Sequence, residues 1–352
     1  MSINPVEIPT GAVRYNTDSN KMEVYIGSTW MEVAVSTPNL DGGSRGLIVG
    51  GYSAGAPNSG RLNNIEFVTI TSAGNSQDFG DLTSVGRSST GSCASRTRGI
   101  TMGGFDESAP AYRDIIDFVT ISSTGNATDF GNLTINRQPC CSFSNATRGC
   151  CAGGYAIAPL ISPNQNMTTI DFVTIAAEGN AVDFGDMTIA YRSRDSVQSP
   201  TRGIMAGGYA SSGDESNVID FVITASTGNA QDFGDVTNKT SYAQNGYGSS
   251  TRGVFPLSSG GGPNYVCDSL DFITLSTLGN TVDYGDLTTN RAVACTFSNS
   301  TRGILVAGAT PDSDDIDYNN IATGGTSVDF GEYSAYSKLN AASGCSNAHG
   351  GL

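Results

Sequence analysis

The sequence predicts an all-β fold, chiefly a ring of six four-stranded sheets, on three observations: a phrase repeated six times, a composition suited to tight turns, and strand-like patterning within each repeat. The phrase is a small turn, Arg-Gly, a short apolar run and, in most copies, paired glycines. It begins at Arg45-Gly46, Arg98-Gly99, Arg148-Gly149 and Arg202-Gly203, and more loosely at Arg252-Gly253 and Arg302-Gly303. Successive glycines of this phrase are 53, 50, 54, 50 and 50 residues apart, a period expected of propeller blades rather than helical solenoids. Of 352 residues, 45 are Gly and only 14% are charged, which suits short strands and argues against coiled coil or disorder.

Residues 87–133 show how one repeat is read. Arg87 leads into Ser92-Cys93-Ala94-Ser95, a short inner strand, because only small side chains fit where sheets converge. A turn at Arg96-Thr97 opens a second strand over 99–104, whose terminal glycines permit a bend that a Cβ would obstruct. Residues 115–121, rich in β-branched and aromatic types, form the third strand. Gly125-Asn126 tips a turn, and 127–133, with Asp129-Phe130-Gly131, is the outer fourth strand. Phe67, Phe172, Phe221 and Phe272 on third strands, and Phe79, Phe184, Phe233, Tyr284 and Phe330 on fourth strands, recur at equivalent places; they are expected to fill the gaps between blades. The repeats begin at a second strand and end at 344–348 with the counterpart of a first strand. The C-terminus is therefore expected to pair with residues 46–51 and close a six-bladed ring.

Residues 1–38 follow other rules. Strands at 10–16, 21–25 and 29–33, joined by the turn Thr17-Asp18-Ser19-Asn20 and by Gly27, predict a small β-meander. Such a ribbon buries little core alone, so it is expected to pack on its own copies, on the ring or on another protein, with Tyr15, Tyr25 and Trp30 as candidate attachment residues. Residues 39–44 read as a linker and 45–352 as the ring.

The repeat resembles the kelch family of β-propellers: paired glycines closing the second strand, an apolar third strand, an aromatic on the fourth, then an apolar-x-x-x-Arg step at Arg87, Arg137, Arg192 and Arg291. It departs from kelch in lacking the fourth-strand tryptophan, replaced by Asp-Phe-Gly, and in the loss of the double glycine at Ala307-Gly308. The resemblance implies a six-bladed kelch-like β-propeller. Separately, Pro9-Thr10-Gly11-Ala12-Val13-Arg14-Tyr15-Asn16 through Gly27-Ser28-Thr29-Trp30 resembles a module of tailed-bacteriophage structural proteins, especially fibres. That resemblance implies a virion protein assembled in the host cytoplasm and joined to other virion proteins through its N-terminal segment.

Net charge is −15, with 18 basic residues and one histidine, so nucleic acid and anionic membrane surfaces are unfavourable partners. No apolar run is long enough for a membrane span. Of eight cysteines, Cys93, Cys141, Cys295 and Cys345 fall at nearly equivalent places and read as packing thiols; Cys140-Cys141 and Cys150-Cys151 lack thiolate-metal spacing. Neither a metal nor another cofactor is expected. The Asp-Phe-Gly-Asp phrase lacks the nucleotide loops of a kinase, and its aspartates are expected to accept backbone hydrogen bonds at turns. A lone His349 gives no hydrolase triad, so no catalytic residue is assigned. The connections after the second strand vary in length and content, and varied loops on a constant scaffold carry recognition. Arg61, Tyr112, Arg113, Asn164, Asn166 and Tyr265 are the candidate contacts for a host-surface glycan or protein. A capsid or tail decoration protein is the alternative, and a polysaccharide-degrading enzyme a weaker one.

Overall fold

The computed structural model describes residues 8–17, 21–32, 45–54, 56, 60–84, 86–106, 111–157, 165–210, 213–240, 246–256 and 267–352, with only the backbone of Lys21 and Cys267. All described regular structure is β-strand, and every sheet is antiparallel. The chain divides into two compact units, Met1–Gly42 and Gly43–Leu352.

In the larger unit each repeat folds into the same four strands. The second repeat runs Gly91–Ala94, Arg98–Met102, Ile115–Thr120 and Thr128–Asn132 in spatial order from inside to outside. The third is Cys141–Ser144, Arg148–Ala152, Thr169–Thr174 and Val182–Asp186; the fourth is Asp195–Gln198, Arg202–Ala206, Ser216–Ile223 and Gln231–Thr240. The fifth and sixth repeats share one strand, Val282–Ser298, which is outermost in the fifth and innermost in the sixth. In the first repeat, Ser343–Ser346 pairs with Arg45–Val49, Cys345 opposite Leu47, so the chain end supplies the missing inner strand.

Neighbouring repeats are joined in an unbroken cycle. The N–H groups of Gly125, Gly179, Gly228, Gly279, Gly325 and Gly74 donate to the carbonyls of Phe79, Phe130, Phe184, Phe233, Tyr284 and Phe330, at 2.7–2.9 Å. Each bond runs from one repeat's turn to the preceding repeat's outer strand, and the last returns to the first. The core has the same order. Six apolar clusters each combine two adjacent repeats, such as Leu47, Ile65 and Phe79 with Val119 and Ile121, or Ile48 and Val68 with Phe297, Val306 and Phe330. The third- and fourth-strand aromatics meet edge to face inside these clusters, as in Phe118–Phe130 at 5.8 Å and Phe172–Phe184 at 5.9 Å.

The Asp-Phe-Gly phrase is explained by this packing. Its glycine sits at a bulge, with φ near +150° at Gly80, Gly131 and Gly331, and a Cβ there would strike the backbone of the adjoining repeat's Gly-Asn turn. The carbonyls of Asp81, Asp186, Asp235 and Asp286, rather than their carboxylates, accept hydrogen bonds from that turn.

In the smaller unit Val13–Asn16, Lys21–Ile26 and Thr29–Glu32 form the meander. Pleat alternation sorts its side chains. Val13, Tyr15, Met22, Val24, Ile26 and Met31 share one side, on which Val13, Tyr15 and Met31 are more than half exposed. The opposite side carries Arg14, Glu23, Tyr25 and Trp30. There Arg14 pairs with Glu23 at 2.7 Å and lies 4.2 Å from the Trp30 ring centre, which in turn packs on Tyr25. Tyr25 and Trp30, grouped with Tyr15 by the sequence reading, are thus half-buried on the other face.

Candidate functional site

The sheets have two chemically different ends. At the end bearing the Arg-Gly turns, Arg45, Arg98, Arg148, Arg202, Arg252 and Arg302 each stack on their own repeat's third-strand ring, 4.3–4.9 Å from its centre. Each then donates from Nη1 to a carbonyl of the next repeat: Ile121, Ile175, Thr224, Leu275, Ile321 and Ile70, at 2.8–3.2 Å. These guanidiniums, though partly exposed, are committed to holding the repeats together. Asn126 and Asn180 at the constant turns are committed as well, accepting the N–H of Asp81 and Asn132 through Oδ1.

At the opposite end the paired glycines, such as Gly103 and Gly104 at φ +63° and +104°, turn the chain so that the following residue lies across the sheet end. Those residues are Tyr52, Phe105, Tyr155 and Tyr209, and their backbones pair with Asn340, Ser88, Gln138 and Arg192. Their rings are linked by intervening side chains into one continuous arc. Arg61 lies 5.7 Å from the Tyr52 ring centre and 4.4 Å from that of Phe105. Tyr112 packs on Phe105 at 5.7 Å and on Tyr155 at 6.2 Å. Arg192 lies 4.7 Å from Tyr155 and 5.2 Å from Tyr209. All seven side chains are half-exposed. Mutual stacking fixes their rotamers, so a ligand meeting them need not order them.

Two sequence candidates, Arg61 and Tyr112, therefore belong to one surface. Arg113 stands beside it but forms a two-pronged ion pair with the buried Asp106, at 2.6 and 2.9 Å. Asn166 is only 4% exposed and donates to the Tyr209 carbonyl at 2.6 Å; it supports the arc from beneath and is not a surface contact. Asn164 and Tyr265 lie outside the described residues. The sequence reading missed Tyr52, Phe105, Tyr155 and Tyr209, whose signal was an aromatic directly after four of the double glycines.

Arg192 was also misplaced. Arg87, Arg137 and Arg291 are fully buried and pair with third-strand Asp117, Asp171 and Asp317. In the fourth repeat that role falls to Arg194, 2.6 Å from Asp220 and bonded to the carbonyls of Met205 and Val218. Thr83, Thr134, Thr188 and Thr288 cap the same carboxylates from the preceding repeat. Burial raises the Asp117 carboxyl above its ordinary range, and the Arg87 charge opposes the rise.

Where the inner strands converge, Ser92, Ser142, Ser196, Thr296 and Gly344 line a void of only about 20 Å³, room for about one water. Hydroxyls satisfy neighbouring strands there: Ser196 donates to Ser142 O, Ser298 to Gly248 O and Ser144 to Ala94 O. His349, 5% exposed, is held by Ala94 O at 2.6 Å and Ser144 Oγ at 3.2 Å. Its Nδ1 accepts the Gly351 N–H, so the proton sits on Nε2, which cannot serve Ser144 as a base. Burial lowers the imidazole pKa to about 4. The seven described side-chain cysteines are buried and unbridged. The four that the sequence grouped fall in two registers of the inner strands, Cys93 with Cys345 and, two residues earlier, Cys141 with Cys295. Asp195, at the register of Cys141, is buried with neither carboxylate oxygen bonded, and burial drives its pKa well up.

Among the described residues no cluster of three His, Cys, Asp or Glu side chains could hold a metal ion. The chain matches no protein-family profile and no curated protein.

Proposed function

We propose that residues 45–352 form a six-bladed, kelch-like β-propeller displaying the aromatic–guanidinium arc as a recognition surface. On this reading the protein is a non-enzymatic bacteriophage virion surface component, such as a fibre or spike, that binds a host-surface glycan or protein. The cyclic turn-to-strand bonds and the six two-repeat core clusters support the ring. The arc is the observation that carries recognition, because aromatic and arginine side chains are the residue types that dominate binding energy at interfaces.

The exposed apolar side of the meander, with Val13, Tyr15, Met22, Ile26 and Met31, supports attachment through residues 1–38, to another virion protein or a second copy. A purely structural decoration role is favoured by a separate observation: the arginines at the Arg-Gly end are all engaged internally, as a rigid scaffold requires. The experiment is adsorption of particles carrying Phe105→Ala with Tyr155→Ala. Weakened adsorption at normal particle assembly supports recognition, and unchanged adsorption leaves the decoration role. Met22→Ser with Met31→Ser should instead reduce incorporation into particles; normal incorporation would defeat the attachment role.

A further inference from the structure

We infer that Arg192, flanked by Tyr155 and Tyr209, anchors a subsite for a carboxylate-bearing sugar: the guanidinium takes the carboxylate and the phenol rings take the sugar ring. This rests on the recognition role proposed above and narrows its ligand to acidic carbohydrate.

The arginines divide by what holds their guanidiniums. Six donate to carbonyls of the adjoining repeat. Four lie in buried ion pairs. Arg113 grips Asp106, Arg14 grips Glu23, and Arg61 and Arg96 are engaged as well. Among the described residues Arg192 is the arginine whose guanidinium makes neither a hydrogen bond nor an ion pair; its contacts are the two tyrosine rings. A half-exposed guanidinium thus keeps five N–H donors in a fixed plane. That fork matches the two oxygens of a carboxylate, and its stacking on Tyr155 and Tyr209 has already removed much of the side-chain freedom that binding would otherwise cost.

The register shows that the arrangement is local. Arg192 stands where the other repeats of the arc place Asn340, Ser88 and Gln138, all polar and uncharged, so this subsite carries a charge the equivalent positions lack. Half-exposed rings on both sides suit the C–H face of a sugar, as rings suit other flat apolar surfaces, and the arc continues through Tyr112 and Phe105 as a platform for further sugar units. A closely charged polymer such as nucleic acid is opposed by the net charge of −15. Carboxylates spaced along a sugar chain are less opposed, because charges beyond about 8 Å are screened at physiological salt.

The test is binding of the full chain to an array of uronic-acid and sialic-acid glycans alongside the same glycans with the carboxyl reduced to an alcohol. The expected result is binding to acidic members that weakens roughly tenfold or more on carboxyl reduction. Arg192→Gln should cause a similar loss and Arg192→Lys a smaller one, with melting temperatures within about 2–4 °C of the parent's in both variants. Equal binding of reduced glycans, full binding by Arg192→Gln, or binding to no member would each overturn the inference. The adsorption test on Phe105 and Tyr155 reads the recognition role separately, so a recognition surface for neutral ligands would be distinguished from no recognition surface.

Discussion

At the Arg-Gly end of the sheets the same bonds are made six times over, whereas at the double-glycine end the joints change from one repeat to the next. Arg45 and its five counterparts each reach the following repeat. Among the described residues the arc, by contrast, spans the four repeats that carry Tyr52, Phe105, Tyr155 and Tyr209, and its linkers are Arg61, Tyr112 and Arg192. Six identical interfaces admit one solution repeated, since each poses the same packing problem. The other end is released from that constraint and can differ at every sheet. Conformity marks where stability is made, and divergence marks where side chains are available for something else.

The comparison predicts a graded set of effects. Deleting residues 343–352 should be the most damaging change, costing more than about 5 kcal/mol, because the inner strand's ladder is lost and covered neighbours such as Leu47 and Phe297, each contributing about 1.5–3 kcal/mol when buried, are laid open. A denaturant melt unchanged by the deletion would refute the closing role of that strand. Arg137→Leu should cost about 3–5 kcal/mol, since Asp171 would remain buried without its cation; urea unfolding measures it.

Protonation of His349 comes next. Its folded pKa is about 4 against an ordinary 6.5, so the unfolded chain binds the proton more readily between those values. The imidazole's contribution is complete above pH 6.5 and is lost as pH falls through 4. The parent should therefore lose about 3 kcal/mol more than His349→Gln over that interval, read from unfolding at pH 7.5 and pH 4. Asp195→Ser runs the other way. Ser343 occupies the equivalent register, and removing an unpartnered buried carboxyl should raise stability at neutral pH by about 1–3 kcal/mol. The gain should shrink in acid, where the raised folded pKa favours the parent. The smallest stability effect belongs to the arc: Arg192→Gln should shift unfolding by no more than about 0.5–1 kcal/mol. A collapse of stability there would make the arc a structural seam.

Much of this was legible in the sequence because repetition averages out local ambiguity. The four strands of the second repeat were placed within one or two residues, and the pairing of the C-terminal strand followed from counting which strand the first repeat lacked. The site was less legible. Arg192 lies ten residues before Arg202, close to the eleven that separate Arg87 from Arg98 and Arg137 from Arg148, so spacing grouped it with Arg87, Arg137 and Arg291. Ser193, in the left-handed region at φ +54°, matches Ser89 and Ala341 of other repeats, so the turn itself is shared, and Arg194 reaches Asp220 from a different register. Spacing along the chain does not reveal which of two neighbouring guanidiniums turns inward. Arg113 and Asn166 show a related limit: loop position indicated varied residues, and only the fold shows that Asp106 and the Tyr209 carbonyl already hold them.

The closing strand also decides how the larger unit bears mechanical load. Tension transmitted from the preceding chain enters at Arg45, and the strand it enters, Arg45–Val49, is flanked by Ser343–Ser346 on one side and Asn64–Thr69 on the other. A pull along that strand loads both ladders of hydrogen bonds in shear, all at once, instead of opening them one by one. The same pairing that joins the two ends of the larger unit would thus make it hard to unzip under a pull at Arg45.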